Sequence, residues 1–232
     1  MSAGGAVKDF FAQWEVYRLC IDHNTLHHRQ VGEALRAQFL KEPAGFRFLD
    51  LACGDAWTTA QALAGSGVGF YRGVDFSPEA LALARKNTAG LGCGCDFFET
   101  DFRGYLQGNH GKFGAVYLGL SLHHLEAAEK REAMDGIRAA VSDGGVFFLY
   151  EPILQPGESR AACLARWKEN MDRAWTPFPE AAKAAVWTHV ESSDFPEAPE
   201  TWTALAEAAG FRMGVELFRD AAGFYSLLRF AG

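Results

Sequence analysis

Long apolar runs are missing from this 232-residue chain, and so is any excess of basic charge. No hydrophobic stretch approaches the roughly 20 residues needed to cross a bilayer. Acidic residues outnumber basic ones, 29 against 22, giving a formal net charge of −7. A field of that sign disfavours nucleic acid as a substrate unless a local basic patch overrides it. Cysteine is scarce: Cys20, Cys53, Cys93, Cys95 and Cys163 are odd in number and irregular in spacing, which argues against a disulfide framework. Cys93-x-Cys95 lacks the C-x-x-C pairs usual for structural zinc, so two small thiols facing the core from a strand are expected there and no metal. The opening MSAGGAVKDFFAQW has no basic segment followed by an apolar one. No export signal is therefore read, and a reduced cytoplasmic compartment is expected. Internal repeats and low-complexity linkers are absent too. What is present, 49% hydrophobic and 22% charged residues, suits one α/β domain over residues 1–232 with a large core.

The stretch that organises the chain is FRFLDLACGDAWTTAQALAGSGVGFYRGVD, from Phe46 to Asp75. It reads as strand, tight turn, helix, strand. Ala52 and Gly54 leave room for backbone to approach a ligand. Asp75, 21 residues after Gly54 at the end of the second strand, is placed to accept from two ribose hydroxyls. The unit therefore predicts a nucleoside-containing ligand. A nicotinamide dinucleotide is disfavoured, because G-x-G-x-x-G needs three glycines to admit a pyrophosphate and only Gly54 stands here.

Before this unit, Phe10, Trp14 and Tyr17 mark one face of a short helix over Asp9–Tyr17, and a polar link with His23, His27 and His28 follows. Val31, Leu35, Phe39 and Leu40 suggest a second helix that ends before Pro43. Residues 1–45 are thus a helical lid over the sheet's C-terminal edge or a brace on its back. After Asp75, Ser77-Pro78-Glu79 opens a helix with a capping hydroxyl, a proline in the first turn and an acid at the positive end. Strands follow at Cys93–Glu99 and Phe113–Gly119, then a loop at Leu120–Leu125, a helix at Glu126–Ala140, a turn at Asp143-Gly144-Gly145 and a central strand at Val146–Tyr150. Residues 151–200, punctuated by prolines, read as a helical insertion, with Glu191–Glu200 as a surface loop rather than a cation site. A helix at Thr201–Ala209 leads to strands Phe211–Phe218 and Ala222–Phe230, joined too closely for a crossover and hence antiparallel. Elsewhere the alternation predicts a doubly wound, mostly parallel sheet, with residues 46–150 as its ligand-binding core and residues 201–232 as a closing helix and hairpin. Asp50, Gly54, Asp75, Asp101, Leu120, His124 and Glu151 gather at the strand ends, where such sheets bind ligands.

With those residues placed, the chain resembles the class I S-adenosylmethionine-dependent methyltransferases of small-molecule type. Asp50-Leu51-Ala52-Cys53-Gly54-Asp55 resembles their glycine-rich first motif and Val74-Asp75-Phe76-Ser77 their second. Thr100-Asp101-Phe102 resembles the step that meets adenine, Leu120-Ser121-Leu122-His123-His124-Leu125 the "LHHL" after strand four, and Ala209-Gly210-Phe211 the "AGF" ending. The resemblance implies a seven-stranded sheet of order 3-2-1-4-5-7-6 with strand seven antiparallel, and S-adenosyl-L-methionine as cofactor. It departs at the first motif, where Ala52 and Asp55-Ala56 stand in place of two glycines; with φ negative, alanine gives a slightly less open loop.

On this reading Asp50 holds the cofactor's ammonium, Gly54, Ala52 and Leu120 offer backbone, and Asp75 takes the ribose. Asp101 and Phe102 meet the adenine, Asp101 doubling as a helix cap, and Phe76 flanks the adenine or joins the core. Tyr17, His28, His124 and Glu151 are the catalytic candidates beside the methyl group, Glu151 alternatively as a structural partner. Arg160, Arg166 and Arg173 recur at helical intervals and either grip a substrate carboxylate or form a solvated face. The expected activity is methyl transfer to a small polar metabolite, an amino acid or amine. Three alternatives stay open: a tRNA-modifying enzyme of the same fold, a non-catalytic S-adenosylmethionine-binding protein, and an enzyme using a modified adenosylmethionine. The oligomeric state is not legible in the sequence.

Overall fold

The computed structural model describes residues 14–232. The part of the first expected helix before Trp14 lies outside the described residues. Seven strands form one sheet: β1 (Phe46–Leu51), β2 (Val68–Asp75), β3 (Gly94–Glu99), β4 (Phe113–Gly119), β5 (Val141–Pro152), β6 (Arg212–Arg219) and β7 (Tyr225–Ala231). Their order is β3-β2-β1-β4-β5-β7-β6. All neighbours are parallel except where β7 runs against β5 and β6, as the sequence leads one to expect. The Asp220 carboxylate closes that hairpin by accepting the N–H groups of Ala222, Phe224 and Tyr225 at 2.9, 2.6 and 2.6 Å.

Both faces of the sheet are covered, so the central strands are apolar on both sides. In β1, Leu49 and Leu51 enter one core while Phe46 and Phe48 enter the other. Helices α2 (His28–Phe39), α3 (Trp57–Leu63) and α4 (Pro78–Thr88) flank the second core. Helices α5 (Phe102–Leu106), α6 (Ala127–Ala140) and α9 (Pro199–Ala208) flank the first. Trp202 of α9 is completely buried. α1 (Trp14–Asp22), α7 (Arg160–Ala174) and α8 (Glu180–Ser193) build a third cluster of Val16, Cys20, Leu164, Met171, Trp175, Phe178, Val186 and Val190. Of the described N-terminal residues, α2 braces the sheet and α1 packs on the 151–200 segment.

Four expectations are corrected. Cys93 and Cys95 do not both face the core: they lie at the start of β3, the edge strand of the sheet, where Cys93 is half-buried and Cys95 exposed. The turn at Asp143-Gly144-Gly145 is a bulge inside β5: Val141 pairs with Phe113 but Val146 with Ala115, and Gly144 takes up the kink at φ +73°. Glu191–Glu200 is not a surface loop. Buried Lys130 of α6 reaches the Phe195 carbonyl at 2.6 Å and Glu197 at 2.7 Å, drawing that segment in and leaving Asp194 only 3% exposed. Finally, Ala52 and Ala56 have φ of +49° and +55°, beside Gly54 at +52°. The turn keeps a glycine-like path although two of its three left-handed residues carry a Cβ.

An alanine held in the left-handed region costs roughly 1–2 kcal/mol, part of which glycine gives back through unfolded-state entropy. Ala52→Gly and Ala56→Gly together should therefore raise unfolding free energy by about 1 kcal/mol, read as a higher urea midpoint at unchanged m-value. A lowered midpoint would contradict the positive φ values.

Candidate active site

A cavity of about 590 Å³ opens beyond the carboxyl ends of β1, β2, β4 and β5. One half is acidic. Asp75 ends β2 and accepts the N–H of Gly54 through one oxygen and that of Ser77 through the other, each at 2.9 Å. These bonds tie the turn after β1 to the end of β2 and leave lone pairs on both oxygens. Burial raises the Asp75 pKa against those N–H groups. Asp50, wholly buried in β1, accepts the hydroxyls of Thr59 at 2.5 Å and Tyr71 at 2.7 Å through one oxygen. Its other oxygen has no hydrogen-bond partner, and burial pushes the carboxyl up to about 7 against the two hydroxyls. Asp101 caps α5 through the Gly104 N–H at 3.3 Å, and Phe102 and Phe76 stand beside it on the wall. Leu120 leaves β4 at φ +53° with its N–H on the Tyr150 carbonyl at 2.7 Å.

The other half is mostly apolar. Trp167 and Trp175 from the α7 region, Val186 and Val190 from α8, and Tyr225 from β7 face Tyr17 and Cys20 of α1 across the space. Tyr17 meets the His28 ring edge-on at 5.8 Å between centroids. His28 is fixed by Thr58 at 3.0 Å; burial and His27 push its pKa down to about 4, so it is neutral, and its Nε2 has no hydrogen-bond partner. At the far end His124, His123 and His189 surround Asp194, with nitrogens 3.2, 3.6 and 3.5 Å from Asp194 Oδ1. Burial opposes charge on His124, but the hydrogen bond and charge of Asp194 outweigh it and hold that imidazole above its ordinary pKa.

Residues 48–145 match the family model of a methyltransferase domain. Residues 48–145 are thus a methyltransferase domain, set in the sheet of the class I S-adenosylmethionine-dependent methyltransferase fold. No curated protein matches its sequence. Among solved structures, magnesium protoporphyrin IX methyltransferase from Synechocystis PCC 6803, crystallised with S-adenosylhomocysteine, superposes with a TM-score of 0.69 at 15% identity, covering 99% of each chain. The N-methyltransferase NodS from Bradyrhizobium japonicum WM9, also with S-adenosylhomocysteine, gives 0.60 at 17%, covering 88% of this chain and 86% of that one. Human N-acetylserotonin methyltransferase with S-adenosylmethionine gives 0.59 at 15%, covering 99% of this chain and 56% of that one. At these identities the superpositions show the fold alone. Among the described residues no helix is long and apolar enough to cross a membrane.

All eight residues expected to meet the cofactor of the methyltransferase line the cavity, as do Tyr17, His28 and His124. Glu151 does not. It is buried behind the loop after β4, where its Oε1 accepts the N–H groups of Ser121 and Leu122 at 3.0 and 2.8 Å and its Oε2 those of His123, backbone at 3.3 Å and Nδ1 at 2.5 Å. The structural alternative for Glu151 therefore holds, since its oxygens are spent on that loop.

The three arginines do not reach the cavity either. Arg160 donates to the carbonyls of Asp194 and Glu191 at the end of α8. Arg166 pairs with Glu158, donates to the carbonyls of Ala222 and Gly223, and lies over Phe224. Exposed Arg173 bonds Asn170. Helical spacing put them on one element but could not show which way that element faces. The residues missed by sequence reading, His189, Asp194, Trp167 and Tyr225, come from distant segments without a local motif. Arg166→Ala should lower stability by about 1–2 kcal/mol, since the Glu158 pair is largely shielded and Phe224 loses its cation, and leave S-adenosylhomocysteine affinity within twofold. A large affinity loss would put Arg166 at the site after all.

Proposed function

We propose that the enzyme methylates a small acceptor with a flat, apolar body and one protic nucleophile, a hydroxyl or an amine. The carrying observation is a single cavity whose acidic half runs into an apolar half ending at the His124–Asp194 pair. Among the described residues no arginine or lysine lines the acceptor half, so a substrate carboxylate would meet no cationic side chain there.

The cofactor supplies an electrophilic methyl group on a sulfonium. The orphaned, buried Asp50 oxygen fits a cationic ligand group, because an unpaired buried carboxylate oxygen is costly and an ammonium removes that cost. Asp50 would hold that ammonium, Asp75 the ribose hydroxyls with its remaining lone pairs, and Asp101 the adenine amino group between Phe76 and Phe102. Backbone of Ala52, Gly54 and Leu120 would meet the methionine portion. Tyr17 and His28 border the channel between the two halves, and Trp167, Trp175 and Tyr225 press the acceptor's flat face. Correct placement alone can supply on the order of 7–11 kcal/mol to such a displacement. Expulsion of water by the apolar wall strips the nucleophile's hydration.

A panel of small aromatic and aliphatic alcohols, phenols and amines, assayed for S-adenosylhomocysteine release, should give turnover with flat acceptors and none with tRNA. Turnover with tRNA alone would overturn the reading. Asp75→Ala should weaken S-adenosylhomocysteine binding at least 100-fold in calorimetry; unchanged affinity would displace the cofactor from this half.

Asp50 adds a pH dependence. Its folded pKa near 7 exceeds the unfolded value of about 3.9. The folded apoenzyme therefore keeps a proton that the unfolded chain sheds, and this group's contribution to stability declines as pH rises from about 4 to about 7. An ammonium partner needs the ionised form, so S-adenosylhomocysteine affinity should increase up to about tenfold from pH 6 to pH 8, and Asp50→Asn should flatten that slope. A flat wild-type profile would remove Asp50 from the ammonium.

A further inference from the structure

We propose that His123, His124 and Asp194 form a binding site for one divalent transition-metal cation at the acceptor end of the cavity. The three donor atoms lie within 4.8 Å of one another, and all three residues are buried. Asp194 Oδ1 is 3.6 Å from His123 Nε2 and 3.2 Å from His124 Nδ1. Ligands about 2.0–2.1 Å from a tetrahedral zinc ion stand roughly 3.3–3.4 Å from each other, so both spacings are within a few tenths of an ångström of a coordinated set. His189 Nε2 lies 3.5 Å from the same oxygen and stands outside this three-donor set.

Three further features point the same way. Asp194 Oδ1 is buried with three imidazole nitrogens around it, the nearest, His124 Nδ1, at 3.2 Å; a cation among them would bind the oxygen and the imidazoles together. The second feature is His123, whose Nδ1 lies 2.5 Å from the Glu151 carboxylate. That contact puts the ring proton on Nδ1 and turns the Nε2 lone pair toward Asp194. A carboxylate behind a histidine is the outer-shell arrangement that orients metal-ligating imidazoles. The third is rigidity. The Phe195 N–H donates to the His123 carbonyl at 2.7 Å, and Lys130 clamps the strand of chain just beyond Asp194. The donors from the two segments are therefore fixed against each other before any ion arrives. His124 Nδ1 also stands 3.3 Å from the Ser193 carbonyl, so metal entry displaces the proton this nitrogen shares with its oxygen neighbours.

Two imidazoles and one carboxylate select a borderline cation such as zinc or ferrous iron over magnesium or calcium. All the donors border the cavity, which leaves a coordination position facing the acceptor. Resting on the acceptor reading above, this narrows the nucleophile to an oxygen, because a coordinated amine has no lone pair left to attack. A bound hydroxyl is acidified by the cation and loses its proton to water. The oxygen then forms the O–C bond with its lone pair while the S–C bond breaks with its electron pair going to sulfur.

The test uses zinc on the full chain, in a Cys93→Ser/Cys95→Ser background that removes thiol binding, after chelator treatment and dialysis. One zinc per chain is expected by elemental analysis and calorimetry. Asp194→Asn, which preserves shape, and His123→Ala should each lower zinc affinity at least tenfold, and Glu151→Gln by roughly 10–100-fold, while His110→Ala changes nothing. S-adenosylhomocysteine binding, measured on every variant, reports folding separately. Less than one fifth of a zinc per chain, or affinity undiminished in Asp194→Asn, overturns the proposal. Zinc bound at this site with no alcohol or phenol turned over refutes the oxygen nucleophile and leaves the metal site standing; undiminished turnover of alcohols or phenols without zinc refutes the cation's part in acidifying the hydroxyl.

Discussion

Four N–H groups of one short loop converge on the Glu151 carboxylate, and the two halves of the site depend on that convergence. Glu151 sits near the end of β5, between β4 and β7 in the sheet. By accepting from Ser121, Leu122 and both donors of His123, it bends the chain sharply as it leaves β4. Leu120 takes the positive φ that the bend requires. The same loop thus presents backbone toward the acidic half at Leu120 and imidazoles toward the apolar half at His123 and His124. Removing the carboxylate would leave buried donors unpaired, each costing about 1–3 kcal/mol, and would uncouple the two halves at their junction.

A second constraint is electrostatic. Asp50, Asp55 and Asp75 lie close enough that their charges raise one another's or their neighbours' pKa values. Burial adds to this, and only the hydroxyls of Thr59 and Tyr71 and a few N–H groups oppose it. A cationic ligand offsets the repulsion among these buried carboxylates. S-adenosylmethionine, the cofactor of the family, carries both an ammonium and a sulfonium. The backbone strain at Ala52 and Ala56 belongs to the same account, because the left-handed turn is what lets the Gly54 N–H reach Asp75.

The fold was legible from the sequence because its signals are local. Ser77-Pro78-Glu79 does open α4, with the Ser77 hydroxyl accepting the Ala80 N–H, and the close spacing of the last two strands does force an antiparallel hairpin. The cofactor half was legible for the same reason: each acid ends a strand whose length and polarity the sequence displays. The conformation of Ala52 and Ala56 was not, since an alanine carries no sign of φ. The acceptor half was illegible because it is assembled at long range. Asp194 lies 70 residues or more from the loop histidines it faces, in a stretch whose acidic composition reads as solvent-exposed until Lys130 is seen to bury it. The arginines failed in the opposite sense. Their spacing was right for a helix, but they cap carbonyls and brace the β6–β7 turn.

The distribution of the cores suggests why the two halves differ in this way. The acidic half stands on the sheet and shares its two large clusters, so its geometry cannot shift without disturbing Leu49, Phe48 and their neighbours. The apolar half is lined by a separate cluster made by α1, α7 and α8. Trp167 packs against both that cluster and the second core, and Arg166 and Lys130 supply the polar fastenings. Changes of side-chain size in the third cluster would reshape the acceptor wall while the strand-end acids keep their places. A chain built this way can hold one cofactor chemistry constant and vary its acceptor, with the junction at Glu151 and His123 as the part that must be conserved in geometry for either to work.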